Sequence, residues 1–292
     1  IFDILPAQPE EHIVHDENET VFHEDDIAAY EGDFFPDHLP EEHVRYLHKR
    51  YAALPELFYT RTRKKVIRPD NVRSWMRSQP KGSRAHLWEL CSGTGRLSLL
   101  ALLSGLTVLF PVDLRYGWDI GYAPHQALLR EVHETLCPGC LFMAPNCRPF
   151  SVSANRMPYE KMMAERAQEK PCIDFLQERA RKQHQAGRGY IWEQPWPSAM
   201  WKELDLPGHC SRTDQCRYGA ADEKGRPILK ATGLDSNFEL RYSCSLCRGH
   251  GGKPHAWLQG QVQGVNRTAI AAMYPERLCK SIARDIKLFC QR

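Results

Sequence analysis

The amino-acid sequence predicts an α/β fold built on a doubly wound sheet. A short buried strand, a glycine-containing turn, a helix and a second strand follow one another between residues 86 and 112. Strand and helix patterns then continue to alternate as far as residue 192. This alternation is typical of sheets whose strands are joined by helices.

Each element is predicted from the spacing of its apolar residues. Two helices precede the sheet, separated by a basic stretch, and Val72 and Trp75 mark the second of them. The first strand is His86–Leu90, its helix spans Leu97–Leu103, and residues 106–112 form the second strand. The later elements are a helix, a strand, a long helix and a strand, over Ala123–Thr135, Leu141–Ala144, Met157–Gln185 and Gly189–Trp192.

Length and composition exclude several classes of protein. A chain of 292 residues with 42% hydrophobic residues fits one α/β domain with additions, and it is not a disordered protein. The longest apolar run, Leu97–Val112, is interrupted by polar and proline residues and is too short to span a membrane. No secretory signal opens the sequence, so we expect an intracellular, nuclear protein. Eleven cysteines without regular spacing favour reduced thiols over a disulfide framework.

Charge is divided unevenly along the chain. Residues 1–42 contain 14 acidic residues and no Lys or Arg, whereas the rest contains 39 basic and 22 acidic residues. A basic body favours nucleic acid as the partner, although a soluble basic enzyme has the same balance. We therefore predict an acidic arm, a basic helical extension, a catalytic core, a small Cys/His-rich recognition segment and a C-terminal helical segment, over residues 1–42, 43–86, 87–207, 208–260 and 261–292.

A glycine loop follows the first predicted strand. Its sequence is Glu89-Leu-Cys91-Ser-Gly93-Thr-Gly95, and glycines at such a turn let the backbone approach a bound cofactor closely. Asp113 ends the next strand, where a carboxylate can hold the ribose hydroxyls of an adenosyl cofactor. The loop lacks the Gly-Lys-Ser/Thr ending of a P-loop. A glycine turn with an unrelated capping Asp would give the same pattern.

Two reactive side chains follow the next two predicted strands. Cys147 lies in the segment Ala144-Pro-Asn-Cys-Arg-Pro-Phe-Ser151, and Glu193 comes after the last strand. Because the C-terminal ends of parallel strands meet in one crevice, we expect both side chains there. Arg148 beside the thiol would favour the thiolate, which makes Cys147 a candidate nucleophile. An inert buried thiol and a helix-capping or surface acid are the structural alternatives.

In their order, these segments resemble the motifs of the DNA cytosine-5 methyltransferases, which belong to the class I S-adenosylmethionine (SAM) methyltransferases. The most specific match is between residues 146–151 and the family's Pro-Cys-Gln-Pro-Phe-Ser nucleophile loop. Residues 89–95 are similar to its cofactor loop Asp-Leu-Phe-x-Gly-x-Gly. The other similar segments are Trp118-Asp119-Ile120, Glu193-Gln194-Pro195, a stretch from Tyr218 through Arg226, and Tyr274–Ile282. The chain also resembles methyltransferase-like domains carried in retroelement polyproteins.

This resemblance implies a Rossmann-like SAM methyltransferase fold that transfers a methyl group to C5 of cytosine in DNA. Cys147 would add to cytosine C6, and Glu193 would protonate or hydrogen-bond N3 of a base flipped out of the duplex. SAM would contact the glycine loop, Asp113 and residues 118–120. Candidate nucleic-acid contacts are Ser151, Arg226 and the basic stretch Arg61, Arg63, Lys64 and Lys65, for which a solvated face is the alternative.

Several residues depart from the family pattern. Cys91 replaces an adenine-stacking Phe, for which Trp118 or Phe110 would substitute. Asn146 replaces the Pro before the nucleophile, and Gln194 replaces an Asn. These changes keep open a catalytically inactive SAM-fold module that binds nucleic acid or a protein partner. RNA cytosine methylation is a further alternative, and the sequence gives neither the oligomeric state nor the preferred DNA context.

A metal site is predicted in the Cys/His-rich segment. Cys244-x-x-Cys247-x-x-His250-x4-His255 offers four potential ligands in twelve residues, with glycines between them that allow tight wrapping. Zn2+ is the expected ion. Two more cysteines lie upstream, at Cys210 and Cys216. The alternative is reduced cysteines and glycine-loop histidines that contact nucleic acid directly.

Overall fold

A computed structural model describes most of the chain beyond residue 66. The described residues are 67–80, 82, 84–93, 95–222, 224–256, 258, 261–262, 265–266, 268 and 271–292. The predicted acidic arm, the first predicted helix and the basic stretch at residues 61–65 lie outside the described residues. The helices are α1 Pro69–Ser78, α2 Arg96–Leu103, α3 Ala123–Leu136, α4 Tyr159–Gln185 and α5 Glu276–Cys290. The strands are β1 Leu87–Leu90, β2 Cys140–Met143, β3 Gly189–Pro195, β4 His209–Asp214, β5 Ala231–Ser236, β6 Gln261–Val262 and β7 Val265–Asn266.

Five strands form one mixed sheet in the order β1-β2-β3-β5-β4, and β6 and β7 pair separately. β1, β2 and β3 are parallel, with Met143 level with Trp192. β5 runs antiparallel between β3 and β4. Residues 108–112 extend the sheet beyond β1 through parallel bridges at Val108 and Val112. The C-terminal ends of β1, β2, β3 and β4 therefore share one edge of the sheet.

Four of the five helices pack in two pairs, and α1 packs against α3. α2 contacts α5, and α3 is joined to α4 by a buried polar network. In that network, His133 on α3 lies between Gln183 Oε1 at 3.0 Å and Arg179 Nη1 at 3.1 Å. α2 connects β1 to residues 108–112, which lie on the side of β1 away from β2. α4 connects β2 to β3 and so advances along the sheet in the opposite direction. Because such crossovers are right-handed, the two pairs of helices lie on opposite faces of the sheet. No helix in the described part of the chain is both long and apolar enough to cross a bilayer.

The alternation predicted between residues 86 and 192 is confirmed except at its second strand, since residues 106–112 pair with β1 only through isolated bridges at Val108 and Val112, and the predicted helix around Trp75 is α1. β4 and β5 lie within the range 208–260 and complete the main sheet. Their sequences, His-Cys-Ser-Arg-Thr-Asp and Ala-Thr-Gly-Leu-Asp-Ser, lack the apolar pattern of a buried strand. The sheet accepts them because their buried polar groups are paired. Tyr190 donates to Asp235 at 2.7 Å and Gln215 to Thr232 at 3.0 Å.

Candidate functional site

The glycine loop between β1 and α2 has an open, left-handed backbone. Gly93 has a φ of 57°, and a Cβ placed there would meet nothing within 4 Å. Its N–H donates to Asp113 Oδ2 at 2.8 Å, which joins the loop to the end of residues 108–112. Ser92 Oγ is buried with no hydrogen-bond partner among the described residues. The loop therefore offers open space beside Gly93 and an unpaired hydroxyl to a polar ligand.

Glu89 faces α2. Its carboxylate accepts hydrogen bonds from Ser98 N at 2.9 Å and Ser98 Oγ at 2.6 Å. Burial raises the pKa of Glu89 to about 7, against the opposing effect of the Ser98 hydrogen bonds. Glu89 therefore fixes the glycine loop to the start of α2.

Leu114 is a cofactor candidate that the motifs did not reveal. It follows Asp113 directly, and 74% of its surface is exposed. An exposed leucine beside a carboxylate at the edge of the sheet offers a ligand both a polar and an apolar contact. The chain carries no sequence signal for this residue, because an exposed leucine cannot be told from a buried one by its type.

The three residues predicted near the adenine have different environments. Trp118 is 1% exposed, and its ring stacks on Phe110 with centroids 5.4 Å apart. The expectation that Trp118 or Phe110 replaces the stacking ring lost at Cys91 is corrected here, since both rings pack against each other in the core. Ile120 is buried, whereas Asp119 is exposed and accepts from Gly121 N at 2.8 Å.

The segment 144–151, called the Cys147 loop below, follows β2 and is held by its own side chains. Asn146 Oδ1 accepts from Arg148 N at 3.1 Å, and Asn146 Nδ2 donates to Glu169 at 2.7 Å. Ser151 Oγ donates to Arg148 O at 3.0 Å. Asn146, which departs from the family pattern, therefore forms the turn by side-chain hydrogen bonding instead of by a proline ring. The Cys147 side chain is half-buried.

Gln194 joins the Cys147 loop to β3. It is fully buried, and its Nε2 donates to the Pro145 carbonyl at 2.7 Å. Ser198 Oγ in turn donates to Gln194 Oε1 at 3.3 Å. Gln194 therefore links the Cys147 loop to the strand that carries Glu193.

Glu193 acts electrostatically on Cys147 at the C-terminal edge of β2 and β3. Burial raises the pKa of Cys147, the Glu193 carboxylate raises it further, and the Lys230 ammonium opposes both. Burial also raises the pKa of Glu193, again against Lys230. The thiol is thus held in its protonated form, and Lys230 is the cation that favours the thiolate.

Arg148 does not have the role predicted for it. Its guanidinium lies 3.4 Å from the Glu165 carboxylate, and 63% of the side chain is exposed. It is not among the groups that shift the pKa of Cys147. The reason is geometric, because the guanidinium is paired with Glu165 on α4.

Lys230 and Tyr274 complete the site and come from distant parts of the chain. Lys230 directly precedes β5, and its Nζ lies 5.6 Å from the centre of the Tyr274 ring. The Tyr274 side chain hydrogen-bonds Glu193, and its ring packs edge-on against Phe142 at 5.9 Å. No sequence motif surrounds Lys230, so the sequence did not predict it as a site residue. Tyr274 was noted only as part of the C-terminal segment that resembles the methyltransferase family.

The remaining predicted nucleic-acid contacts are only partly described. The Arg226 guanidinium is bound to Asp222, with Nε 2.8 Å from Oδ2, within a tight turn. Ser151 is part of the Cys147 loop described above. The basic stretch at residues 61–65 lies outside the described residues.

A Cys/His cluster that can hold a metal ion lies beyond the end of β4. The ligand atoms of Cys216, Cys247, His250 and His255 all lie within 4.8 Å of one another. The predicted set is corrected at one position, since Cys216 takes the place of Cys244. The Cys244 side chain hydrogen-bonds Ser211 on β4, and burial raises the pKa of its thiol to about 11.

Comparisons with known proteins add no family to this geometry. No protein-family model matches the chain, and no curated protein was found to be similar to it.

Proposed function

We propose that this chain is a SAM-dependent methyltransferase that transfers a methyl group to C5 of cytosine in DNA. The observation that carries the proposal is the meeting of Cys147 and Glu193 at one edge of the parallel strands. Lys230 acts on the pKa of both groups. A thiol, a carboxyl group and a cation in one crevice are the groups that addition to a pyrimidine ring needs.

The glycine loop fits an adenosyl cofactor. Gly93 leaves its backbone open, Ser92 Oγ has no partner among the described residues, and Asp113 with the exposed Leu114 borders the loop. SAM, when bound, supplies an electrophilic methyl group. The sheet is compatible with the same assignment, because its three adjacent parallel strands and connecting helices are of the α/β kind that the resemblance implies.

Cytosine C5 reacts with an electrophile only after a nucleophile has added to C6. Cys147 would be that nucleophile, and the proton that burial and Glu193 keep on it would pass to the Glu193 carboxylate. The Lys230 ammonium stabilises the thiolate that results. Glu193, whose pKa is raised, can carry a proton to N3 of the base and so offset the charge that develops on the ring. After the methyl group is transferred, the C5 proton would leave to solvent as the Cys147 thiolate is eliminated from C6. Gln194 holds the loop in place by its bond to Pro145.

Nucleic acid is the partner that the surroundings of this edge favour. Trp196 follows β3 and is 40% exposed, and Leu229 precedes Lys230 and is 41% exposed. Flat or apolar side chains beside the reactive groups can stack on or flank an extruded base. The basic balance of residues 43–292 agrees with a polyanionic substrate.

Zn2+ is the ion that we propose for the Cys/His cluster. Two thiolates and two imidazoles suit Zn2+, whereas Mg2+ and Ca2+ require oxygen ligands.

A catalytically inactive module is the second candidate, and one observation favours it. The two rings expected to contact the adenine, Trp118 and Phe110, stack on each other in the core. Measured affinity for SAM separates the two candidates, because an inactive module that has lost the cofactor binds none.

The test of the proposal is methyl transfer with defined variants. The purified chain is incubated with SAM carrying a labelled methyl group and with duplex DNA or single-stranded RNA, and the products are digested to nucleosides. We expect label in 5-methylcytosine from DNA, its loss in Cys147→Ser, and a rate roughly 10²- to 10⁴-fold lower in Glu193→Gln. Cys137→Ser is the matched control, because Cys137 lies at the opposite end of β2. Transfer that persists in Cys147→Ser, or SAM binding without any transfer, contradicts the proposal.

A further inference from the structure

The four donors of the Cys/His cluster lie close together, and two of their separations are near those of a tetrahedral metal site. Cys247 Sγ lies 3.3 Å from His250 Nε2 and 3.4 Å from His255 Nε2. Zinc–sulfur and zinc–nitrogen bonds of ordinary length place tetrahedral S and N donors about 3.6 Å apart. Cys216 lies within the same group, although 31 residues separate it from Cys247. Small adjustments would therefore suffice to bind an ion.

Backbone groups around Cys247 support a metal-bound thiolate. Gly249 N donates to Cys247 Sγ at 3.3 Å, from a residue whose φ of 98° a side chain would disfavour. Cys247 N donates to Asp214 Oδ2 at 2.8 Å, and Arg212 Nε donates to Asp214 Oδ1 at 3.0 Å. Outer hydrogen bonds of this kind orient metal ligands. The cluster therefore has a second layer of contacts as well as four donors.

Two segments that carry ligands flank the loop that ends in Lys230. Gln215 N, next to the first ligand in the chain, donates to Lys230 O at 3.1 Å. Ala256 N, next to the last ligand, donates to Pro227 O at 2.8 Å. An ion that joins the first ligand to the last therefore fixes both sides of residues 227–230.

We infer that Zn2+ bound by Cys216, Cys247, His250 and His255 holds residues 227–230 in place and so sets the position of Lys230 beside the Cys147 thiol. This inference rests on the Zn2+ proposed above and needs neither SAM nor methyl transfer. The ion positions Lys230, and Lys230 in turn acts on the Cys147 thiol at the C-terminal edge of β2 and β3.

The ligand set is tested with two cysteine variants that differ in one respect. Cys216→Ser removes a ligand of the cluster, whereas Cys244→Ser removes the other member of the Cys-x-x-Cys pair. The full chain is loaded with Zn2+ under reducing conditions and its metal content is measured. We expect one ion per chain for the wild type and for Cys244→Ser, and loss of the ion from Cys216→Ser. Retention by Cys216→Ser together with loss from Cys244→Ser would overturn the ligand set.

Co2+ substitution tests the ligand set in proteins that keep the ion, so this test does not depend on a variant that loses it. Tetrahedral Co2+ absorbs in the visible range, and its thiolate charge-transfer band grows with the number of sulfur ligands. Wild type and Cys244→Ser should give the same spectrum, with two thiolates. If the wild type binds neither ion, the proposed Zn2+ falls, and methyl transfer can still be tested on its own.

The positioning role is tested through the reactivity of Cys147. Iodoacetamide reacts with the thiolate, so peptide mass spectrometry can follow alkylation of this one thiol in Zn2+-loaded and chelated protein. Chelation of the wild-type protein should slow alkylation of Cys147 by a factor similar to the one that the Lys230→Met substitution causes. In Lys230→Met itself, chelation should have no further effect. The inference is wrong if chelation leaves the wild-type rate unchanged, or if it slows the variant as much as the wild type.

Discussion

Glu89 should make the stability of this protein fall as the pH rises. Its side chain is 1% exposed, and its carboxylate is bonded to Ser98 at the start of α2. Burial raises its pKa from 4.5 to about 7; the Ser98 hydrogen bonds oppose this shift, and the charge of Asp113 adds to it. The folded chain therefore binds the Glu89 proton more tightly than the unfolded chain does.

The size of the effect follows from proton linkage. A carboxyl group whose pKa is raised by folding lowers the free energy of unfolding as the pH rises from its unfolded to its folded pKa. For the values of Glu89, the loss between pH 5 and pH 8 is about 2.5 kcal/mol. Glu89→Gln has no proton to lose, so its free energy of unfolding relative to wild type should rise by the same amount over this interval.

Urea denaturation followed by tryptophan fluorescence at pH 5, 6, 7 and 8 measures the difference. Glu160→Gln is the matched control, because Glu160 is exposed on the first turn of α4 and its variant should track the wild type. Parallel pH profiles for wild type and Glu89→Gln would refute the argument, since Glu89 would then be ionised in the folded chain.

Three further predictions concern the buried core and the edge of the sheet that carries Cys147 and Glu193. Burial lowers the pKa of His133 to about 4, so as the pH falls from 6.5 to 4 the wild type should lose about 3 kcal/mol of stability relative to a His133→Gln variant, and parallel urea titrations of the two proteins would contradict this. Gln194→Leu should lower the free energy of unfolding by about 1 to 3 kcal/mol, because a buried carbonyl of the Cys147 loop loses its donor; an unchanged urea midpoint would count against that bond. Lys230→Met should slow methyl transfer from labelled SAM while Arg148→Met leaves it near the wild-type rate, and the reverse order would restore the role first predicted for Arg148.

Local patterns were enough to predict the first half of the sheet. The strands β1 to β3 and the helices between them have apolar spacing that distinguishes them from loops, and the structure has them within a few residues of the predicted ranges. The same holds for the glycine loop and the Cys147 loop, because each is a continuous stretch whose turn chemistry is set by adjacent residues. The methyltransferase assignment built on these motifs stays a proposal.

Contacts between distant segments could not be predicted in this way. Lys230 comes beside Cys147 only because β5 is inserted antiparallel next to β3, and the polar sequence of β5 does not show that it is a strand. Cys216 replaces Cys244 in the metal cluster for a similar reason, since the chain returns past the end of β4. The stacking of Trp118 on Phe110 likewise depends on how two segments pack.

The sequence by itself therefore determined the αβ alternation, the open glycine loop and the presence of a thiol and a carboxyl group at strand ends. Only the tertiary structure decided which cation lies beside that thiol, which cysteine joins the metal cluster, and which aromatic rings are buried. The physical reason is that helix and strand periodicity and turn chemistry depend on neighbours along the chain. Electrostatic partners and metal ligands depend on distances in space, and the order and direction of the strands set those distances.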